Sequence, residues 1–381
     1  MVRPFGKHEI SFGIDKFMFK NTYEDQRVLV TGHTGFKGSW LCSWLSDLGA
    51  VVAGYSIHIP TKPSHFEALK LSERIEHFQG DVRDKNSLQQ TISRFRPSII
   101  FHLAAQSLVR KSYENPVLTI ETNSLGTLNL LECLRDQPSV IAAIIITSDK
   151  CYENVEWLWG YRENDPLGGK DPYSASKACA ELISKVYMQS FFKENGPCIA
   201  TARAGNVIGG GDWALDRVVP DCVRSWSEGT PVVVRNPNAT RPWQHVLEPL
   251  SGYLALGQKL FQGDPVLKNQ SFNFGPQTKI NQSVGELTIE MAKYWPKAKW
   301  EFLKKMDPTK PESTFLKLNC DKALQMLQWS AVLDFSETVR MTGEWYQAYY
   351  NQKPGSITET TSKQIKEYTK IATRLNLAWT K

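Results

Sequence analysis

The feature that most constrains the fold is a short apolar strand followed directly by a glycine-rich turn and a helix. Residues 27–31 read RVLVT, residues 32–38 read GHTGFKG, and apolar side chains then recur at helical spacing through residue 48. Glycine allows a close approach of the backbone, and the first turn of a helix presents free N–H groups that favour negative charge. This succession predicts an α/β sheet with a phosphate cradle at a strand end. The cradle residues are Gly32, Thr34, Gly35, Phe36, Lys37 and Gly38.

The spacing of the glycines in this turn can be compared with two known phosphate-binding motifs. It reads GxxGxxG, which departs from the generic GxGxxG dinucleotide fingerprint, and Lys37-Gly38-Ser39 reverses the Gly-Lys-Ser order of a P-loop. A P-loop kinase or ATPase is therefore disfavoured. The second predicted strand, Val51–Ser56, ends without the carboxylate that usually binds an adenosine ribose, so this position does not decide between NAD and NADP.

The alternation of strands and helices continues as far as residue 204. Short apolar strands are predicted near residues 76–78, 98–103, 141–146 and 199–203. We expect an α/β fold, namely a doubly wound and mostly parallel Rossmann sheet with a smaller carboxyl-terminal lobe that binds substrate. The predicted divisions are an extension at 1–26, the Rossmann domain at 27–204 with returning segments near 232–275, the lobe mainly at 205–350 and a tail at 351–381.

The ends of the third and fourth strands offer further positions for a flat cofactor. Asp81 can accept a hydrogen bond from an adenine amino group, or it can cap the helix predicted over residues 85–95. Small side chains at Ala104 and Ala105 leave room for a ring against the backbone, although close helix packing explains them equally well. The predicted cofactor contacts here are Asp81, Val82, Leu103, Ala104 and Ala105, and Gln106 is a candidate substrate ligand.

The main candidate for catalysis follows the unbroken apolar run Ile141–Ile146. That strand delivers Ser148, Asp149 and Lys150 to its carboxyl end, where open α/β sheets bind their ligands. Further on, Tyr173 and Lys177 lie four residues apart in a helical pattern, so they share one helix face. The alternative interpretation of Asp149 and Lys150 is a surface ion pair. The predicted catalytic residues, which suit proton and hydride chemistry, are Ser148, Asp149, Lys150, Tyr173 and Lys177.

Composition disfavours several other classes of protein. Of the 381 residues, 41% are hydrophobic and 22% are charged, and the net charge of +6 is scattered, so we expect no nucleic-acid partner. No apolar run approaches the roughly 20 residues that span a bilayer, and no signal-peptide core opens the chain. The seven dispersed cysteines show no metal-ligand spacing. We therefore expect free thiols in the cytoplasm, with neither a metal site nor a membrane partner.

Three of these motifs together carry a family resemblance. The Gly32–Gly38 turn, Ser148 and the Tyr173-x-x-x-Lys177 pair resemble the extended short-chain dehydrogenase/reductases of the nucleotide-sugar branch. Longer strings, namely TSDKCYEN, NVIGGGDWALDRVVPD and RPWQHVLEPLSGYL, are similar to those of the 4,6-dehydratases that act on CDP-sugars.

The resemblance implies a cofactor, a substrate and an assembly. The cofactor is a tightly held NAD, and the substrate is a nucleotide sugar like CDP-glucose. Asn206 and Arg241 are implied as ligands of its phosphates. The helices near residues 116–135 and 173–195 are implied to join two copies in a homodimer, or in a higher homo-oligomer.

The candidate groups suit a definite reaction on such a sugar. With Tyr173 as base and Ser148 as hydrogen-bond donor, oxidation at C4 makes the C5 hydrogen acidic; Asp149 and Lys150 then eliminate water across C5 and C6, and the hydride returns to C6. A Lys177 ammonium about 4 Å away, at an effective dielectric near 20, is expected to lower the pKa of Tyr173 by about three units. Which of Asp149 and Lys150 is the acid stays open. The alternatives are a nucleotide-sugar 4-epimerase and a catalytically silent dinucleotide-binding protein.

Overall fold

The protein is represented by a computed structural model that describes residues 18–277, 281–303, 315–351 and 356–381. Its strands, numbered along the chain, are β1 (Arg27–Thr31), β2 (Val51–Ser56), β3 (Glu76–Gln79), β4 (Ile99–His102), β5 (Ala142–Ile146), β6 (Cys198–Ala204), β7 (Val207–Ile208), β8 (Val232–Val234), β9 (Thr240–Arg241), β10 (Gln244–His245), β11 (Gln270–Phe274), β12 (Gln282–Ser283) and β13 (Trp300–Phe302).

The helices are numbered in the same way. They are α1 (Phe36–Asp47), α2 (His65–Ala68), α3 (Lys85–Phe95), α4 (Val109–Glu114), α5 (Pro116–Ile120), α6 (Gly126–Leu134), α7 (Pro172–Ser190), α8 (Val218–Ser227), α9 (Leu247–Phe261), α10 (Val284–Ala292), α11 (Asp321–Leu327), α12 (Phe335–Tyr350) and α13 (Ser356–Arg374).

One seven-stranded parallel sheet dominates the described part of the chain. Its strand order is β3-β2-β1-β4-β5-β6-β11. The strand order reverses between β1 and β4, because β2 and β3 lie on one side of β1 and the later strands lie on the other. In sheets of this kind a ligand crevice lies at the carboxyl ends of the two strands where the order reverses. The predicted fold class, a doubly wound Rossmann sheet, is confirmed.

Apolar side chains cover both faces of this sheet. Along β1, Val28 and Val30 join the core formed with α1 and α9, whereas Leu29 joins the core formed with α3, α6 and α7. The alternation follows from the two-residue period of a strand. β5 is buried along its whole length, which is why its sequence shows an unbroken apolar run.

The helix predicted near residues 116–135 is interrupted by a π-helical turn at Glu121–Leu125. Asn123 Nδ2 in that turn donates to Ser176 Oγ at 2.8 Å, and Ser124 Oγ donates to the Ser176 carbonyl oxygen at 3.0 Å. The widened turn therefore joins the α5–α6 segment to α7, and π turns often mark functional sites.

Smaller ladders and helices build the part of the chain after β6. β8 pairs with β13, β9 with β12 and β7 with β10, while α9 and β11 return to the main sheet. The predicted domain boundaries stay a prediction.

The two ends of the described chain pack together. Phe19 stacks on Trp379 with ring centroids 5.2 Å apart, and α13 packs against α12 and α1. Residues 1–17 of the predicted extension, and residues 352–355 of the predicted tail, lie outside the described ranges. Within those ranges, no helix is long and apolar enough to cross a membrane.

Candidate active site

The glycine turn between β1 and α1 forms a tight backbone cradle. Gly32 has a φ of +73°, and a Cβ on it would lie 2.7 Å from the Ala104 nitrogen. A Cβ on Gly38 would lie 2.3 Å from the Gly32 carbonyl oxygen, so neither position accepts a larger residue. No side chain caps the start of α1 at Gly35. The first turn of α1 therefore offers its N–H groups to an anion such as a pyrophosphate.

Neutral side chains occupy the end of β2, where a ribose-binding carboxylate is missing. Ser56 Oγ lies 2.9 Å from His33 Nδ1, and His33 Nε2 lies 2.7 Å from His77 Nδ1. Burial lowers the pKa of His33 to about 3, and His77 acts in the same direction, so the His33 imidazole is neutral. The Thr34 hydroxyl donates to the His58 carbonyl oxygen at 2.7 Å and closes the turn over these groups.

Asp81 is oriented by Arg83 and does not cap a helix. Its Oδ2 lies 2.7 Å from Arg83 Nη2, and its Oδ1 accepts from Arg83 N at 2.9 Å. Burial acts to raise the pKa of Asp81, but the hydrogen bonds from Arg83 bring it below its ordinary value. The N-cap of α3 is Asp84, which accepts from Ser87 N at 3.1 Å. A capping role for Asp81 is therefore wrong, and its contact with an adenine stays a prediction.

The remaining predicted cofactor contacts border the same crevice. Leu103 N donates to the Thr31 carbonyl oxygen at 3.1 Å, and Ala104 N donates to Thr31 Oγ1 at 3.2 Å, so the loop after β4 continues beside β1. Ala105 follows and is partly buried, while Val82 is buried against Gly126 at the start of α6. The role of these four residues as cofactor contacts stays a prediction.

Ser148 and Asp149 lie buried at the carboxyl end of β5. The Ser148 hydroxyl donates to Asp149 Oδ1 at 2.9 Å and accepts from Lys150 N at 3.3 Å, which begins a 3-10 turn. Asp149 is 3% exposed, and its Oδ2 has no hydrogen-bond partner among the described residues. A Cβ on Gly205 would lie 3.1 Å from that oxygen. A surface ion pair is thus the wrong interpretation of Asp149, which keeps one free and buried oxygen beside half-buried Lys150.

Tyr173 and Lys177 lie on one face of α7 and approach the same strand end. Their exposed fractions are only 8% and 6%. Tyr173 N donates to the Ser112 hydroxyl at 3.2 Å, which ties the start of α7 to α4. The Lys177 ammonium donates to the Ile146 carbonyl oxygen at 3.3 Å. Lys177 therefore contacts the last residue of β5, two residues before Ser148.

The pKa values of this pair differ from the expectation based on sequence. Burial raises the pKa of Tyr173 to about 12, although the Ser148 hydroxyl acts to lower it. Burial lowers the pKa of Lys177 to about 8, while Glu181 acts to raise it. The predicted fall in the pKa of Tyr173 is therefore wrong, because the loss of water around the phenol outweighs the stabilisation of the phenolate by neighbouring groups.

Two cations that the sequence analysis did not assign to catalysis also reach this site. Arg217 Nη1 lies 2.8 Å from Asp212 Oδ2, and the guanidinium interacts electrostatically with Tyr173. Burial lowers the pKa of Lys37 to about 8, with Arg217 acting in the same direction and Asp149 acting against it. Lys37 was predicted only as part of the cradle. The spacing of Arg217 in the sequence gave no sign that it approaches the phenol.

Gln106, a predicted substrate ligand, is hydrogen-bonded to its own loop, to α5 and to the π-helical turn. Its Nε2 donates to Thr119 Oγ1 at 3.0 Å, and its Oε1 accepts from Leu108 N at 2.7 Å. The backbone N–H of Gln106 donates to Asn123 Oδ1 at 2.8 Å. Gln106 therefore links the loop after β4 to the π-helical turn, and its contact with substrate stays a prediction.

The chain neighbours of Asn206 and Arg241 lie close to Asp149. Gly205, directly before Asn206, faces Asp149 Oδ2, and a Cβ on it would lie 3.9 Å from Pro242 Cγ, next to Arg241. The loop after β6 and the residue that follows β9 thus come together near Asp149, at the carboxyl end of β5. This placement is compatible with ligands of a sugar nucleotide, and both roles stay predictions.

The residues present fit a dinucleotide beside a reacting group. The tight turn at Gly32 and Gly38 leaves the first turn of α1 without a side-chain cap, so its N–H groups suit a pyrophosphate. The buried, unpartnered oxygen of Asp149 lies at the strand end next to Tyr173 and Lys177. Across the ranges that the structure describes, no three potential metal ligands of the His, Cys, Asp or Glu type come together.

Comparison with known proteins identifies the family. A family model described as GDP-mannose 4,6 dehydratase matches residues 29–342. Over 361 residues the chain is 44% identical to a CDP-glucose 4,6-dehydratase of Salmonella typhimurium, covering 93% of this chain and 99% of that protein.

Solved structures agree with this assignment at the level of the fold. A UDP-glucose 4-epimerase of Thermus thermophilus in complex with NAD is 28% identical, with a TM-score of 0.71 over 84% of this chain and 99% of that one. A dTDP-glucose 4,6-dehydratase of Bacillus anthracis in complex with NAD is 20% identical, with a TM-score of 0.70 over 84% and 96%. Since the family model spans most of the chain and a relative matches it nearly end to end, the chain belongs to the GDP-mannose 4,6-dehydratase family.

Proposed function

We propose that this protein is an NAD-dependent lyase that converts CDP-glucose to CDP-4-dehydro-6-deoxyglucose, a step in deoxysugar synthesis. One observation carries the proposal. A buried carboxylate with a free oxygen, Asp149, and an adjacent lysine, Lys150, lie at the strand end where Tyr173 and Lys177 meet. Such an acid–base pair serves elimination across C5 and C6, whereas oxidation at C4 alone does not need it. The nearly full-length similarity to a CDP-glucose 4,6-dehydratase supports the choice of substrate.

The cofactor of this reaction is NAD, which supplies a hydride acceptor when bound. The Gly32–Gly38 cradle would hold its pyrophosphate, and Tyr173 and Lys177 would adjoin its reactive end. The similarity to epimerase and dehydratase structures that contain NAD supports this assignment.

In the first half of the reaction, Tyr173 removes the proton of the C4 hydroxyl as the C4 hydride leaves. Because burial holds the pKa of Tyr173 at about 12, the phenolate needs stabilisation from cations. Arg217 provides positive charge that acts on the phenol, Lys177 is a second cation one helical turn along the same face of α7, and the Ser148 hydroxyl can donate to the developing oxyanion.

In the second half, the C4 ketone makes the C5 proton acidic, so that water can leave. We assign the base to Lys150, which takes the C5 proton, and the acid to Asp149, which gives a proton to the departing C6 hydroxyl. Lys150 returns its proton to C5, and the proton taken up by Tyr173 replaces the one that Asp149 gave. Bound NAD would supply the place where the C4 hydride is held until it is delivered to C6. The net change is loss of one water, and the cofactor ends in its starting state.

Mass spectrometry of the product tests the proposal. The protein is incubated with NAD⁺ and, in separate reactions, with CDP-, UDP-, dTDP- and GDP-glucose. We expect loss of one water from CDP-glucose and a product with ultraviolet absorbance in alkali. A Tyr173→Phe variant should form no product, and unchanged behaviour of that variant in its physiological role would favour a catalytically silent dinucleotide-binding protein.

A nucleotide-sugar 4-epimerase is the second candidate, because an enzyme of that type is 28% identical over 84% of the chain. It uses the same C4 oxidation and returns the hydride to C4. A CDP-hexose of unchanged mass would establish epimerisation and exclude the dehydratase.

We also propose that the protein forms a homodimer through α5, α6 and α7. Apolar side chains on α5, on the π-helical turn and on α7 are strongly exposed, with Val117 at 68%, Leu125 at 45%, Leu182 at 51% and Val186 at 54%. Exposed apolar clusters of this kind usually mark contacts with another protein surface.

Light scattering tests the dimer. The double variant Leu182→Glu, Val186→Glu should elute as a monomer because two charges would be buried in the contact. Ile289→Glu on α10, where the side chain is 46% exposed, is the control and should leave the mass unchanged. A dimer that survives the double variant would place the contact elsewhere.

The cytoplasm is the proposed location. All seven cysteines of the chain are free thiols, and four of them are buried, which is typical of a reducing compartment. Recovery of the protein with the cytoplasmic fraction, with thiols that react without prior reduction, is the expected result.

A further inference from the structure

A buried ion pair lies behind the catalytic strand, outside every group that the sequence analysis singled out. Glu181 of α7 and Arg203 of β6 have side chains that are 2% and 3% exposed. Arg203 Nε donates to Glu181 Oε1 at 2.9 Å, and Arg203 Nη2 donates to Glu181 Oε2 at 2.8 Å. Two parallel hydrogen bonds of this kind orient both planar groups. Buried ion pairs add little net stability to a fold, so the role of this pair is better judged from the residues that it contacts.

The carboxylate of this pair also accepts from two threonine hydroxyls. Thr147 donates to Glu181 Oε1, and Thr201 Oγ1 donates to Glu181 Oε2 at 2.8 Å. Thr147 directly follows β5 and directly precedes the Ser148–Cys151 segment, which we call the catalytic turn. Glu181 is therefore bonded to the chain at the point where the catalytic turn begins.

The guanidinium of the pair holds the other end of the catalytic turn. Arg203 Nη1 donates to the Tyr152 hydroxyl at 2.7 Å, and that hydroxyl donates to Asn273 Oδ1 at 2.8 Å. Tyr152 is 1% exposed and directly follows the turn. The ion pair thus contacts both the residue before the catalytic turn and the residue after it.

The same carboxylate is an opposite charge for Lys177, which lies one helical turn earlier on α7. Burial lowers the pKa of Lys177, and Glu181 acts to raise it. The other titratable groups that interact with this ammonium are Cys151, His102 and Lys37. Burial raises the pKa of Cys151 and lowers that of His102 to about 3, so both are neutral, and Lys37 is a like charge. Among these described groups, Glu181 is the one that stabilises the protonated amine near neutral pH.

We propose that Glu181 and Arg203 act together as positioning residues: Glu181 holds the residue before the catalytic turn, Arg203 holds the residue after it, and the Glu181 carboxylate lies one helical turn from Lys177. The Glu181–Arg203 ion pair thereby fixes the position of the catalytic turn, which carries Ser148, Asp149 and Lys150, relative to the amine of Lys177. This inference rests on the proposed dehydratase function for its kinetic readout, but its structural readout does not need a substrate.

Two matched threonine variants test the inference. Thr147→Val and Thr201→Val each remove one hydroxyl that donates to the same carboxylate, but only Thr147 adjoins the catalytic turn. We expect both to lower the melting temperature by similar amounts, whereas only Thr147→Val lowers kcat, by about tenfold to a hundredfold. An equal loss of kcat in both variants, or no loss in either, would overturn the proposal.

Hydrogen–deuterium exchange gives the readout that does not depend on activity. The peptide that contains residues 147–152 should exchange faster in Thr147→Val than in the wild type or in Thr201→Val. Unchanged exchange in Thr147→Val would refute the positioning role even in an active dehydratase. Faster exchange in a protein that forms no product from CDP-glucose would support the positioning role and reject the proposed function.

The pH dependence of kcat tests the electrostatic part. Glu181→Gln removes the charge that raises the pKa of Lys177, so that pKa falls below about 8 and kcat declines from a lower pH than in the wild type. Glu181→Asp keeps the charge and should keep the alkaline side of the profile near its wild-type position, even where it lowers kcat. If Glu181→Gln lowers kcat at every pH but does not displace the profile along the pH axis, Glu181 has a purely structural role.

Discussion

Single residues of the catalytic turn divide the work that the proposed reaction requires. In this structure the Ser148 hydroxyl donates to Asp149 Oδ1, Asp149 Oδ2 has no partner among the described residues, and Lys150 lies half-buried beside them. A buried oxygen without a partner is costly in a folded protein, so its presence is better explained by chemistry than by stability.

Replacing Lys150 should separate the two halves of the reaction. Lys150→Ala leaves Tyr173 and Lys177 in place, so oxidation at C4 should continue while elimination of water stops, with a fall in product formation of about a hundredfold or more. In a stopped-flow measurement, the absorbance of reduced nicotinamide would record the oxidation at C4 that the variant still carries out. Exposed Lys170→Ala is the control, and full dehydration by Lys150→Ala would remove Lys150 from the scheme.

Replacing Lys37 should displace the pH profile in the direction opposite to Glu181→Gln. Lys37 and Lys177 repel each other, so Lys37→Met should raise the pKa of Lys177 above about 8. Lys177 then stays protonated to a higher pH, and the alkaline decline of kcat at saturating NAD⁺ moves upward. Lys70→Met, at an exposed position, should leave the profile unchanged. A downward displacement in Lys37→Met would contradict the electrostatic link.

At the scale of elements, the sequence predicts what depends on local periodicity and misses what depends on distant segments. β5 and the Tyr173–Lys177 face of α7 are confirmed because apolar runs and helical spacing are local signals. The Glu181–Arg203 pair brings together α7 and β6 and then contacts the end of β5 on one side, and nothing in the spacing of these residues announces it. The pKa of Tyr173 was mispredicted for a related reason, since burial is a property of the assembled elements.

Glu248 on α9 links three elements and should make stability depend on pH. It accepts from Leu333 N at 2.6 Å and from the Tyr368 hydroxyl of α13 at 2.7 Å, and burial raises its pKa to about 7. The folded state therefore holds a proton that the unfolded state releases as the pH rises from about 4.5 towards 7, which lowers stability by up to about 3 kcal/mol over that range.

Thermal unfolding between pH 4.5 and pH 7 checks this linkage. Glu248→Gln cannot ionise, so the melting temperature of this variant should change less with pH than that of the wild type. Exposed Glu359→Gln on α13 is the control and should follow the wild type. Parallel curves for Glu248→Gln and the wild type would show that Glu248 does not titrate in this range.

At the scale of the whole molecule, an aromatic cluster joins the two ends of the described chain to the Rossmann core. Trp379 stacks on Phe19 at 5.2 Å and on Tyr368 at 5.9 Å, and it meets Trp44 of α1 edge to face. The helix α13 also packs against α1, whose first turn forms the cradle.

Truncating Trp379 should therefore destabilise the whole molecule. Trp379→Ala leaves a cavity in a buried cluster, and we expect a loss of about 3–5 kcal/mol in the free energy of unfolding. Denaturant unfolding measures this loss. Leu375→Ala, at a side chain that is 54% exposed, is the control and should change stability by less than about 0.5 kcal/mol. A small effect of Trp379→Ala would mean that this end of the chain is not part of the cooperative unit.

The catalytic turn is held by residues of α7 and β6 that lie outside it, and this arrangement bears on how such enzymes diverge. The residues that bracket the turn, Thr147 and Tyr152, are bonded to Glu181 and Arg203, whereas the hydrogen bond described for the Asp149 side chain goes to Ser148 within the turn. Substitutions at 149 and 150 can therefore change the reaction without rebuilding the scaffold. A shared oxidation site can in this way serve as an interchangeable platform, on which a few mutations convert one sugar-modifying activity into another.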